Sequence, residues 1–176
     1  LFSVQASLCI ASRHDSIMSA WLGTFSLMRP QVPDWLETLC QRLTDNDPTL
    51  TTVEVIRQRI DDSNVIVLAK ALQENTTVTT LVLSLYNIVD DGALTLGATL
   101  QRNRSIKTLQ LRDIRDGREI DVLFQSLCQN TSITELSLRH SSVCTRGAKA
   151  IKKFLQTHKT LAELRLVDCQ IMPLAA

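Results

Sequence analysis

Aromatic residues are scarce, at 4% of the chain, and 176 residues include only five Gly and four Pro. Without large rings the interior has to be filled by aliphatic side chains, and with few chain breakers most of the sequence is free to enter regular structure. Charge of one sign is also lacking. The balance of 19 Lys and Arg against 18 Asp and Glu leaves a net of +1, so no overall field attracts nucleic acid or an anionic membrane surface. No apolar run reaches the roughly 18 residues that a membrane-spanning helix requires. The five cysteines (Cys9, Cys40, Cys128, Cys144 and Cys169) are odd in number, with no C-x-x-C and no disulfide-framework spacing. They read as small apolar fillers in a reducing compartment, and the chain as soluble and cytoplasmic. Phosphate-binding glycine motifs and the nucleophile elbow G-x-S-x-G are missing. His14, His140 and His158 fall at different places, with no Cys or carboxylate at metal-ligand spacing. Neither an enzyme nor a bound cofactor or metal is expected.

What is present is a period. LTTVEV from Leu50, VTTLVL from Val78, IKTLQL from Ile106, ITELSL from Ile133 and LAELRL from Leu161 align at intervals of 28, 28, 27 and 28 residues. Each carries aliphatic residues at positions 1, 4 and 6. Positions 4 and 6 share one face of an extended chain while 3, 5 and 7 take the other, so each segment predicts a short strand with one buried side. Between the strands, Val65, Leu68 and Leu72 recur as Ala93, Leu96 and Leu100, as Ile120, Leu123 and Leu127, and as Ala148, Ile151 and Leu155. Spacings of three and four predict one helical stripe per unit. Asp61 to Ser63, Asp90 and Asp91, and Thr145 offer capping oxygens before three helices. Asn75, Asn103 and Asn130 stand where a left-handed residue closes a helix. The same three asparagines head glycosylation sequons, and their shared repeat position favours the structural reading of them.

This alternation resembles the ribonuclease-inhibitor-like class of leucine-rich repeats, over about residues 33 to 171. The resemblance implies an α/β solenoid, a right-handed horseshoe segment with parallel strands on the concave side and helices on the convex side. The pre-helix apolar position is matched by Ile60, Ile88, Val143 and Ile171. The position usually held by Asn or Cys carries Gln58, Tyr86, Ile114, Ser141 and Cys169, so a looser inner turn is expected. The third unit is one residue short between Leu111 and Ile120, which places an irregularity around Arg115 to Arg118.

Residues 33–49 predict a capping helix, with Trp35, Leu36, Leu39, Cys40 and Leu43 on one stripe after Pro33. Residues 1–32 form an N-terminal extension whose apolar stretch (Trp21, Leu22, Phe25 and Leu27) is expected to lie over that cap. Residues 50–176 hold about five repeats, the last incomplete. A fragment of a larger regulatory or receptor-like protein is therefore expected, or self-association through the C-terminal edge strand.

The informative surface is the outward sheet face. Ile56 and Val82 make its first two units nearly uncharged, while Gln110, Arg112, Glu135, Arg139, Glu163 and Arg165 charge the rest. Arg112 and Arg139 sit on neighbouring strands about 4.8 Å apart, close enough to hold one carboxylate or phosphate together. Arg146, Lys149, Lys152, Lys153 and Lys159 form a basic stripe read as a solvated helix face, without the interleaved aromatics of a nucleic-acid surface. The expected function is a non-catalytic protein-protein interaction module whose partner is another protein rather than nucleic acid or membrane. The alternative is a GTPase-activating regulator, because Ran-activating proteins resemble this fold and act through a loop arginine; Arg115 or Arg118 stands in for it here.

Overall fold

Each 28-residue unit spends about five residues on a strand and about twelve on a helix, and this division sets the architecture. The computed structural model describes residues 32–58 and 60–172. The N-terminal extension, with Trp21, Leu22, Phe25 and Leu27, lies outside the described residues, Val32 excepted. From Pro33 onward the chain forms one unit. It begins with helix α1 (Asp34–Thr44), and then β1 (Thr52–Val55), α2 (Asp62–Gln73), β2 (Thr80–Ser84), α3 (Asp90–Arg102) and β3 (Thr108–Arg112) alternate. There follow α4 (Gly117–Leu127), β4 (Glu135–Arg139), the short β5 (Ser142–Cys144), α5 (Thr145–Thr157), β6 (Glu163–Val167) and β7 (Gln170–Met172).

The sheet order β1-β2-β3-β4-β6 follows the chain, and every pair is parallel. Parallel neighbours need a crossover of a dozen residues or more, which each intervening helix supplies. The register matches the repeat alignment: Leu81 pairs with Leu109, Leu109 with Leu136, and Leu136 with Leu164. A second, two-stranded parallel sheet joins β5 to β7 and sets Val143 against Ile171. Helices pack on their sequence neighbours, so helices and strands form two layers with the aliphatic stripes between them. Val65, Leu68 and Leu72 of α2, Leu96 and Leu100 of α3, and Leu123 and Leu127 of α4 are buried there with the strand leucines.

Some local expectations are corrected. Asp61 caps α2 by accepting from the Asn64 amide at 3.0 Å, and Asp116 caps α4 through the Arg118 amide. α3, however, starts after Val89 without a side-chain cap. The Val89 amide instead donates to Asp62 of the preceding unit, 2.8 Å away. In α5 the buried stripe is Gly147, Ala150, Ile151 and Phe154, leaving Ala148 and Leu155 exposed. The cause is packing of rings: Phe154 meets Phe124 edge to face with centroids 5.2 Å apart, turning the helix by one position from the aligned stripe.

The three asparagines are not left-handed caps. Among the described non-glycine residues, positive φ is confined to Asn46, Asp113, His140 and Asp168, and Asn103 is extended. Each asparagine instead lies three residues ahead of the apolar residue that leads into a strand (Val78, Ile106 and Ile133) and is buried. Its Oδ1 accepts from the amides two and three residues on, as Asn103 does from Ser105 and Ile106 at 3.0 and 2.9 Å. Its Nδ2 donates backward across the repeat, Asn75 to the Leu43 carbonyl, Asn103 to those of Leu72 and Asn75, and Asn130 to those of Leu100 and Asn103. The nitrogen that a glycan would occupy is therefore buried and engaged. One asparagine satisfies up to four backbone groups where a helix ends and a strand begins, so the residue is demanded by unpaired backbone rather than by left-handed geometry. His158 stands at the same place in the last unit, with both ring nitrogens buried and without a partner among the described residues.

The inner turn holds part of the ladder expected to be weak. Ser141 donates to the Arg139 carbonyl and accepts from the Ile114 amide, and the Cys169 thiol points at the carbonyls of Leu138 and Val167. The shortened third unit is visible as four residues between β3 and α4, where β2 and α3 are separated by five. Gly117 begins α4 there because a Cβ would collide with the Cys144 side chain.

Candidate functional site

The sheet exposes one face, built from positions 3, 5 and 7 of each strand, and its charges lie on β3, β4 and β6. Parallel register makes rows of equivalent residues: Thr108, Glu135 and Glu163; Gln110, Ser137 and Arg165; Arg112, Arg139 and Val167. A groove of about 280 Å³ runs over these strands and includes Gln110, Glu135, Arg139, Glu163, Arg165 and Val167 in its lining. Five of the eight residues singled out in the sequence thus line one groove, and a sixth, Arg112, stands beside Arg139 in register without lining it.

The remaining two do not join them. Ile56 follows the end of β1, and Val82 on β2 is only 6% exposed, which removes it from any contact surface. Val82 pairs in register with Glu54 on one side and Gln110 on the other, and a short β-branched side chain between two longer ones offers little area. Leu85 is buried as well, whereas Tyr86 is more than half exposed.

The three arginines differ in their surroundings. Arg165 makes a two-pronged contact with Glu163 of its own strand, Nε to Oε1 and one terminal nitrogen to Oε2 at 2.8 Å. That carboxylate raises the guanidinium pKa further above its ordinary value. Arg112 and Arg139 are side by side in register, and neither forms an ion pair or side-chain hydrogen bond among the described residues. Their Nε atoms are buried and meet no acceptor there. Glu135 receives a long hydrogen bond from the Thr108 hydroxyl, at 3.4 Å.

Just past the strands a second row appears that sequence reasoning missed. Asp113, His140 and Asp168 occupy the position after β3, β4 and β6, all with positive φ. Asn, Asp and His are the non-glycine types that tolerate this region best, so the shared position was the available signal. Ser84 donates to Asp113 at 2.7 Å, and His140 Nδ1 lies 3.7 Å from Asp168. A concavity of about 480 Å³ includes Tyr86, Asp113, Arg115, His140 and Asp168 in its lining. Arg115 lies over the Tyr86 ring, 4.4 Å from its centroid, and Arg118 begins α4. Neither His140 nor His158 is hydrogen-bonded to a hydroxyl or thiol among the described residues, so no acid–base pair with a nucleophile is assembled there.

The basic stripe is exposed, and Arg146 approaches Asp121 of α4 at 3.9 Å. No described helix is long and apolar enough to cross a membrane.

No protein-family profile matches the chain, and no curated protein matches it. Solved structures do. A domain described as leiomodin-1 actin-binding site 2 is 25% identical, over 77% of this chain and 80% of that one, with a TM-score of 0.65. The tropomodulin C-terminal domain from Caenorhabditis elegans is 16% identical, covering 76% of this chain and 83% of its own, with a TM-score of 0.64. The second similarity concerns the fold alone. Both support an α/β repeat with a parallel sheet.

Proposed function

We propose that the chain is a non-catalytic, cytoplasmic protein-binding module, an α/β solenoid that offers the inner face of β3, β4 and β6 to a partner, and that actin is the first partner to test. The observation that carries this reading is the similarity to the leiomodin-1 domain named for an actin-binding site, which extends over most of both chains. The face itself agrees with such a role. It gathers charged side chains around a shallow groove, and function on repeat scaffolds resides in surface residues. Nothing among the comparisons favours a GTPase-activating role.

The test is direct binding of the purified chain to actin monomers and filaments, by thermophoresis and co-sedimentation. Saturable binding that weakens when Gln110, Glu135 and Arg139 are replaced together supports the reading. Binding to neither form of actin removes actin, and binding that ignores the triple replacement moves the contact off this face.

A further inference from the structure

We infer that Arg112 and Arg139 form a paired-guanidinium clamp that takes a carboxylate of an acidic side chain in a protein partner. The inference rests on the reading of this face as the partner surface, and it deepens that reading by naming what the partner must bring. Of the three arginines on the face, Arg165 already holds Glu163. Arg112 and Arg139 are adjacent in parallel register between Ser84 and Val167, and the nearby Asp113 carboxylate is taken up by the Ser84 hydroxyl.

The Nε–H groups carry the argument. Each is buried away from solvent and finds no acceptor among the described residues. A desolvated donor that stays unpaired is costly, and a charged one more so, so a carboxylate that draws either guanidinium outward and pairs its Nε–H recovers part of that cost. A carboxylate suits the geometry: its two oxygens can accept from one guanidinium fork or bridge both, and the two arginines stand on adjacent parallel strands whose backbones are about 4.8 Å apart. A long polyanion suits it poorly. Glu135 and Glu163 occupy the first row of the same face, four residues from the arginines or about 13 Å along the strand, and repel a run of like charges. The clamp therefore selects one or two carboxylates in an otherwise neutral or mixed segment.

The probe is an acetylated Ser-Gly peptide bearing two adjacent glutamates, titrated into the labelled chain while the arginine Nε–H resonances are followed by NMR. The expected result is a saturable shift of the Arg112 and Arg139 resonances, little movement of Arg165, and no shift with the matching glutamine peptide. Arg112→Gln with Arg139→Gln should weaken binding about tenfold or more, the cost of losing charge-assisted hydrogen bonds. The milder pair Arg112→Lys and Arg139→Lys keeps the charge and loses the fork, so it should fall between the two and serves if the glutamine pair fails to fold. Unmoved Nε–H resonances, or equal affinity in the lysine pair, overturn the clamp. Saturable binding of an oligouridylate at the same resonances overturns it too, by assigning the site to nucleic acid. Actin binding by the same variants separates the two claims: actin retained by the lysine pair while the peptide is lost leaves the clamp standing and moves actin elsewhere. Actin bound by the wild type with no peptide response removes only the clamp.

Discussion

The two ends of the repeat stack solve the same problem differently. At the first strand, Val53 and Val55 are buried, and α1 brings Leu36 and Leu43 into the same core. At the last strand, Leu166 is 43% exposed and Ile171 of β7 is 70% exposed, although their repeat equivalents Leu138 and Val143 are buried almost completely. The leucines are chemically the same, and their exposure is set by whether a neighbouring unit stands beside them. A repeat cannot bury its own apolar face. The comparison teaches that in this fold a leucine's contribution belongs to the interface between units.

The sharpest way to break the comparison is to truncate equivalent leucines. Leu138→Ala should cost about 2–5 kcal/mol, as a cavity in a closed core, whereas Leu166→Ala should cost about 1 kcal/mol because nearly half of its surface already meets water. Urea denaturation of the two variants checks this, and equal losses would mean that the last strand is covered in solution.

Next in size is the asparagine ladder. Asn103→Ala strands the amides of Ser105 and Ile106, while the carbonyls of Leu72 and Asn75 keep the Asn75 amide and the Ser105 hydroxyl, for an expected loss on the order of 2 kcal/mol. Hydrogen exchange at Ile106 should accelerate in the same variant. An unchanged denaturation midpoint would sink the ladder as a stabilising element.

The ends should also differ in their response to pH. At the C-terminal end, burial lowers the His158 pKa below its ordinary 6.5. The unfolded chain then binds the proton more readily, so stability is full above about pH 7 and declines as pH falls through 6.5. His158→Asn, which restores the residue of the other rungs, should flatten that decline. At the N-terminal end, hydrogen bonds from Thr49 and Arg42 pull the Asp47 pKa down to about 2. The stability Asp47 contributes is present above its ordinary 3.8 and is lost as pH drops toward 2. Unfolding midpoints of wild type, His158→Asn and Asp47→Asn from about pH 8 to about pH 2 would separate the two windows, and a His158→Asn profile parallel to wild type would rule out the first.

The smallest effect concerns association. If β6 and Ile171 mediate self-association, Leu166→Lys with Ile171→Lys should abolish any dimer seen by sedimentation at high concentration while leaving the unfolding midpoint nearly unchanged. A monomer at every concentration in the wild type would end that proposal.

Strand order, register and helix positions were legible in the sequence because they follow from a period. Aliphatic residues at fixed intervals place Leu81, Leu109, Leu136 and Leu164 in one row whatever their surroundings. The pairing of Arg112 with Arg139 was readable for the same reason. Burial that depends on neighbours was not: Val82 keeps its place in the outward row but is covered between Glu54 and Gln110, and α5 rotated to seat Phe154 against Phe124. The asparagines were marked by spacing, but their function required knowing which backbone groups a neighbouring unit leaves unpaired. Periodicity, a property of one chain read locally, thus determined the architecture of this protein. Which arginine is neutralised, which leucine is wet and which histidine is buried were decided only by the tertiary structure, because each depends on what an adjacent repeat places within a few ångströms.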